Sequence, residues 1–219
     1  MRHTSKPGRA LAALLLTAVL VLGAAACGGD DDEASSGEAG STETVEKAFL
    51  TGMVHHHGTA IEMAEIAQER GEASFVKQLA DDIVTTQERE MAEMEKIYTR
   101  LIGGELEPDP GAHDGLGLSA EEAGMTHSPA TNDMLRAADP FDRAFVDEMV
   151  PHHTGAVKMA KIVLESTKDA DLRKLAEGIV STQEREIEEM NAFRTKKYGG
   201  PVPATESGGG GEHGGGHSG

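Results

Sequence analysis

The stretch that decides the fold is Met53-Val-His-His-His-Gly-Thr-Ala-Ile-Glu-Met-Ala64, because the chain writes it again as Met149-Val-Pro-His-His-Thr-Gly-Ala-Val-Lys-Met-Ala160. Working outward, residues 48–99 align with 144–195 at a constant offset of 96, without a gap. Roughly 23 of the 52 aligned pairs are identical. A self-similarity of this length is an internal repeat, and each copy is one structural unit.

Each unit reads as two helices. In the first, Ser41-Thr-Glu-Thr44 supplies cap candidates, and the helical pattern runs to Arg70 before Gly71 breaks it. A second helix spans about Glu72 to Ile102 and ends at Gly103-Gly104. In the second unit Asp139 is a cap with Pro140 in the first turn, and the helix runs to about Thr167. The last helix spans about Ala170 to Tyr198, before Gly199-Gly200-Pro201. Connections of a few residues make each pair an antiparallel hairpin. A lone hairpin cannot bury its apolar face, so two are needed. The expected fold is all-α, a four-helix bundle over residues 44–198. Repeat one occupies 44–102, a long crossover 103–138 and repeat two 139–198. The crossover is rich in Gly, Pro and Asp, has room for a short helix near Ala130–Ala137, and carries His113, Met125, His127 and Met134.

The repetition is selective. With Met53 at zero, the 100° step of an α-helix puts His57, Ala60 and Ala64 within about 40° of it, and His56 and Met63 within about 80°. His55 and Glu62 fall on the opposite side. The second unit keeps Met149, His152, His153, Ala156, Met159 and Ala160, and replaces His55 by Pro151 and Glu62 by Lys158. The inward face is retained and the outward one varies. On the partner helix, Leu79, Ile83, Gln87, Glu90, Met94, Ile97 and Leu101 form one stripe, repeated as Leu175, Ile179, Gln183, Glu186, Met190 and Phe193. A carboxylate on an apolar stripe needs compensation, since burying it unpaired costs about several kcal/mol.

Counting outward from the turns, Met53, His56 and His57 come level with Gln87 and Glu90. Met149, His152 and His153 come level with Gln183 and Glu186. Imidazole, thioether and carboxylate together are a metal-ligand set. Imidazole suits copper, zinc, iron and nickel, and thioether selects a soft ion, above all Cu(I). The candidate ligands are Met53, His56, His57, Glu90, Met149, His152, His153 and Glu186. Met63, Gln87, Met94, Met159, Gln183 and Met190 are weaker candidates. Glu90 and Glu186 either ligate directly or hold a histidine ring from behind. Adjacent histidines on a helix diverge, so the second of each pair can face the other hairpin or a shared central site. The competing reading is a structural bundle in which the histidines only hydrogen-bond to buried Glu and Gln and the methionines only pack.

The ends of the chain carry a different signal. Arg2, Lys6 and Arg9 precede an apolar run from Ala10 to Leu22, then Gly23-Ala-Ala-Ala-Cys27. This has the layout of a secretory signal over 1–26 and is too short for an ordinary transmembrane helix. Cys27, the single cysteine, sits where a bacterial lipoprotein is lipidated, which places the protein on the outer face of the cell membrane. Cleavage after Ala26 with full secretion is the alternative. Residues 27–43 read as a flexible acidic tether and 199–219 as a Gly-rich tail holding His213 and His217. Three of the 20 basic residues lie in the signal, which leaves a formal charge of about −21. Such a chain repels phosphate and is not a nucleic-acid binder.

The pattern Met-x-x-His-His-x-x-Ala-x-x-Met-Ala, followed by Gln-x-x-Glu-x-x-x-Met, resembles the domain-of-unknown-function 305 family, whose members include copper-binding proteins of the CopM type. It stands here as Met53 to Ala64 with Gln87, Glu90 and Met94, and as Met149 to Ala160 with Gln183, Glu186 and Met190. Phe141 to Met149 also looks like the family's sequence. The resemblance covers about 44–198. It implies a ferritin-like helical bundle, exported, with copper as its ion and a role in copper buffering, tolerance or trafficking. The chain lacks the Glu-x-x-His pairs of di-iron bundles, which sets a metal-dependent oxidoreductase behind a binding protein.

Overall fold

The computed structural model describes the backbone of residues 36–203 and the side chains of 42–203. The expected export signal, Cys27, the first part of the expected tether and the two tail histidines lie outside the described residues. Those that are described are helical, with no strand among them. Helix α1 spans Ser36–Arg70, α2 Ser74–Leu101, α3 Pro129–Ala137, α4 Phe141–Ser166 and α5 Ala170–Tyr198. A 3-10 turn at Ala112–Leu116 lies in the crossover and packs on α1. Helices α1 with α2 and α4 with α5 form the two hairpins. The hairpins meet mainly along α1 and α4.

The ends of the helices differ from expectation in two places. Helix α1 already runs at Ser36, so Ser41 to Thr44 lie inside it and do not cap it. Nothing between Ser36 and Thr44 other than Gly37 and Gly40 opposes a helix, so the first turns continue backward. At α4 the extended residue before the helix is Pro140, which leaves Asp139 outside it with no capping bond. The conventional caps are elsewhere. Asp169 accepts from the Leu172 N–H at the start of α5, and Gly199 closes that helix in the left-handed conformation. Ser128 and Thr131 make a reciprocal capping box at α3.

The turn before α2 is tied down from the other hairpin. Asp142 of α4 is buried and accepts from Glu72 N–H at 2.9 Å and Ala73 N–H at 3.0 Å. Lys197 Nζ stands 2.7 Å from the same carboxylate. Glu46 of α1 does the related job at the opposite turn, accepting from the Thr167 hydroxyl. Glu46 and Asp142 are equivalent under the offset of 96. Each hairpin thus uses the first turns of its first helix to tie down the turn of the other.

Two apolar clusters fill the interior. One takes the early part of α1, the end of α2, the end of α4 and the start of α5, with Phe49, Met53, Met94, Met159 and Ile179. The second takes the complementary halves, with Met63, Ile83, Phe145, Met149 and Met190. Between them, at mid-height, every long helix contributes polar residues instead.

Candidate metal centre

That polar layer consists of His56 and His57 from α1, Gln87 and Glu90 from α2, His152 and His153 from α4, and Gln183 and Glu186 from α5. All eight are buried, and three of the histidines have no exposed surface. The layer exists because the apolar stripes of the four helices are interrupted at the same height in each.

Its bonds repeat across the two hairpins. His57 Nε2 stands 2.8 Å from Glu90 Oε2, and His153 Nε2 stands 2.9 Å from Glu186 Oε2. Glu90 and Glu186 therefore hold a ring each. The other two histidines cross between hairpins. His56 Nε2 donates to the backbone carbonyl of His152 at 3.0 Å, and the two rings lie 3.7 Å apart, centroid to centroid. Thr59 supplies the return contact. Its hydroxyl donates to the His56 carbonyl at 2.8 Å and stands 2.9 Å from His152 Nε2.

These partners assign one tautomer to all four rings. A carboxylate and a carbonyl only accept, so His57, His153 and His56 carry their proton on Nε2. The Thr59 proton is already given to the His56 carbonyl, so its oxygen accepts from His152 Nε2–H. Each imidazole then presents a bare Nδ1 lone pair. All four Nδ1 atoms are buried and have no hydrogen-bond partner within the protein. The same holds for both carboxamide atoms of Gln87 and of Gln183. Burial, and after it the neighbouring histidines, hold His56 and His152 well below the ordinary imidazole pKa, so both rings are neutral at pH 7.

The methionines flank the layer. Met53, Met94 and Met159 belong to one apolar cluster and Met63, Met149 and Met190 to the other, all essentially without exposed surface. Each trio takes two residues from one hairpin and one from its neighbour. Met63 thus keeps company with Met149 rather than with Met53 above it on its own helix, and Met159 with Met53. Among the described residues, no three His, Cys, Asp or Glu side chains form a cluster that would hold an ion by themselves. A site in the layer would have to draw on the thioethers as well.

Three features escaped the sequence reading. Thr59 has glycine, Gly155, at the equivalent position in the second unit, and this break in the repeat was the available signal. Gly155 is required where it stands. A Cβ there would come within 2.1 Å of the Ala123 carbonyl carbon, because the crossover lies directly on α4. Gly124, at φ +67°, lies against the His152 backbone. The third feature is a cavity of about 620 Å³ beside this contact, whose wall includes His127, His152, Pro151 and Met63. Helix α4 runs through Pro151 unbroken. His55 is half-buried, and Glu62 is exposed and accepts from the Asn132 side chain of α3.

The profile of the family described as Domain of unknown function (DUF305) matches residues 46–194. The chain belongs to this family. Among solved DUF305 relatives, CopM in its Cu(I)-bound form is 32% identical, with a TM-score of 0.59, covering 70% of this chain and 98% of that one. CopM has also been solved in Cu(II)-bound and Ag-bound forms. A DUF305 protein from Streptomyces coelicolor, described as secreted, is 25% identical, with a TM-score of 0.65 over 74% of this chain and 99% of that one. The uncharacterized protein L153 of Acanthamoeba polyphaga mimivirus is 39% identical over 52 residues, 24% of this chain and 34% of that protein. The match therefore spans about a third of the curated relative's length.

Proposed function

We propose that the protein is an exported binding protein for copper, taken up as Cu(I), that buffers or passes on the ion through the central His/Met layer. The observation that carries this reading is the set of four buried Nδ1 lone pairs without partners. An unpaired buried polar atom costs about 1–3 kcal/mol. A bundle that leaves four on one layer, all in the ligand-ready tautomer, has a use for them. Imidazole nitrogens backed by carboxylates are the usual arrangement of metal-binding histidines. Buried thioethers above and below the layer favour a soft ion over zinc or a hard cation. His56, His57, His152 and His153 would supply nitrogen, and Met53 and Met149 sulfur, with Met63, Met94, Met159 and Met190 next to them. Glu90 and Glu186 would act through the rings they hold.

The CopM relatives, solved with Cu(I), Cu(II) and Ag, point to the same class of ion. Export agrees with the secreted DUF305 relative and with the signal-like first 26 residues. No described helix is long and apolar enough to cross a membrane. Attachment through a lipid on Cys27 is the further part of this proposal. A purely structural role for the histidines accounts for the four Nε2 bonds but gives the four Nδ1 atoms nothing to do.

Titration of the purified protein with Cu(I) against a chromophoric chelator tests the reading. The wild type should take up the ion, and replacing His56, His57, His152 and His153 together by Gln should abolish uptake while circular dichroism stays helical. Equal affinity and stoichiometry in the two proteins would end it.

A further inference from the structure

Of the four layer histidines, His152 is the one that lines this cavity. It forms part of the wall of the 620 Å³ space between α4, the crossover and residues 202–203. His152 also keeps a trace of exposure, 4%, where His56, His57 and His153 have none. The same wall carries His127 from the crossover, with its Nε2 buried and unpartnered. Asn132 lies beside that ring and partly offsets the effect of burial on it, and neither His127 Nε2 nor Asn132 Oδ1 has a partner at full hydrogen-bond geometry. Burial holds His127 below the ordinary imidazole pKa, so it is neutral at pH 7. His127 is close enough to His152 to help lower the pKa of that ring.

The other charged residues of the wall are mostly acidic. Glu121, Glu122, Asp147 and Glu148 line the cavity against a single lysine, Lys158. A cleft dominated by one sign of charge concentrates counter-ions and raises their rate of arrival. Met63 adds a thioether-bearing residue to the lining. Nothing comparable is present over His56, the equivalent of His152, where the cavity does not extend. The difference follows from the repeat. Gly155 lets the crossover sit on α4, whereas α1 carries Thr59 at that position.

We propose that this cavity is a solvent-reachable site for a soft metal cation, with the imidazoles of His127 and His152 as its nitrogen donors, and that it is the port through which the ion enters the central layer. The port rests on the reading of the layer as metal-binding. His152 belongs to both places, since the residue lines the cavity and its ring lies against His56. An ion held by His127 and His152 therefore needs to exchange only the His127 donor to join the layer. His127 is a docking ligand that the sequence repeat does not predict, since its counterpart is absent from the other hairpin.

The test uses the full chain with Ag(I) alone, followed through the imidazole NMR signals and by stopped-flow mixing. In the wild type, the His127 and His152 signals should move at the first substoichiometric additions, before those of His57 and His153. His127→Ala should slow filling of the layer about tenfold and leave the final occupancy unchanged. Thr154→Phe, which narrows the mouth from an exposed position and removes no donor, should slow it similarly. A silent His127 together with wild-type filling rates in both variants overturns the port and leaves the layer reading standing. Layer histidines that never respond, in any of the three proteins, overturn both.

Discussion

The rings of His56 and His152 lie 3.7 Å apart at a tilt of 42°, each from a different hairpin and each buried. Two imidazolium ions cannot share that space, and the low pKa of both rings follows from burial first and from the neighbouring histidines second. This contact also fixes how the hairpins cross, since it is made by the helices that join them.

A pH dependence of folding follows from that pair. In the unfolded chain both histidines take a proton near pH 6.5. In the folded chain they resist it until far lower pH. Below about pH 6.5 the unfolded state therefore binds more protons, and stability falls as pH falls. Above pH 7 neither state is charged and these groups contribute no slope. Each site can remove about 1.4 kcal/mol per pH unit. Urea unfolding of metal-free protein at pH 7.5 and 5.5 should show the loss, and His56→Gln with His152→Gln should flatten it. Asp169, held to about 2 mainly by its bond from Arg100, loses its contribution only as pH falls below about 4, while Glu148, raised by burial, works against the loss. Equal stability of the wild type at the two pH values would refute the assignment.

The crossover is pinned by absent side chains. Gly155→Ala would drive a Cβ to 2.1 Å from the Ala123 backbone and 2.3 Å from Gly124 N. Backbone cannot swing aside as a flexible side chain can, so we expect a loss of about 1–3 kcal/mol. Gly58 is the control. It lies on α1 beside Thr59, the equivalent of Gly155, but meets nothing within 4 Å. Gly58→Ala should stabilise by about 0.5–1 kcal/mol through helix propensity alone. Opposite signs in denaturant titrations are the expected result; the same sign for both would refute the role given to Gly155.

The two hairpins were legible in the sequence because their geometry is local. A turn of a few residues fixes which rungs face each other, and so His57 and Glu90, 33 residues apart, came out level. The same count placed His153 with Glu186. What the hairpins do to each other was not legible, because the crossover that joins them is long and leaves their relative placement open. Hence Met63 was read with the ion of its own hairpin, although it packs with Met149. Thr59 was missed for the same reason, since it bonds to His152 from outside its hairpin. Asp142 was given no role in the sequence and is the buried carboxylate that holds the turn before α2.

Asp142 gives a prediction on stability. Burial pushes its carboxyl up, but Lys197 and the two N–H groups of Glu72 and Ala73 outweigh this and hold it below the usual range. Asp142→Asn keeps the shape and loses the charge. One carboxamide oxygen then replaces two accepting oxygens, and an NH2 group faces a donor. The expected cost is about 1–3 kcal/mol. Lys197→Ala should cost less, since that lysine is exposed and its pair is screened. If the two variants unfold at the same denaturant concentration as the wild type, the carboxylate is not what secures the turn.

Glu90 and Glu186 separate a ligand layer from a merely packed one. Each accepts from an Nε2–H, keeps that proton away from Nδ1, and adds electron density to the ring. Glu90→Gln still accepts through its carboxamide oxygen, so the ring keeps its place and helical content should not change. What it loses is the negative charge behind the imidazole. Partners of this kind are worth about 10–100-fold in metal affinity. We therefore expect Cu(I) affinity to fall by about that factor in Glu90→Gln and in Glu186→Gln, measured by competition with a chelator. Glu88→Gln, a neighbouring exposed residue, should leave it unchanged. A structural histidine would give a different pattern, in which Glu90→Gln shifts the unfolding midpoint and affinity for the ion does not respond.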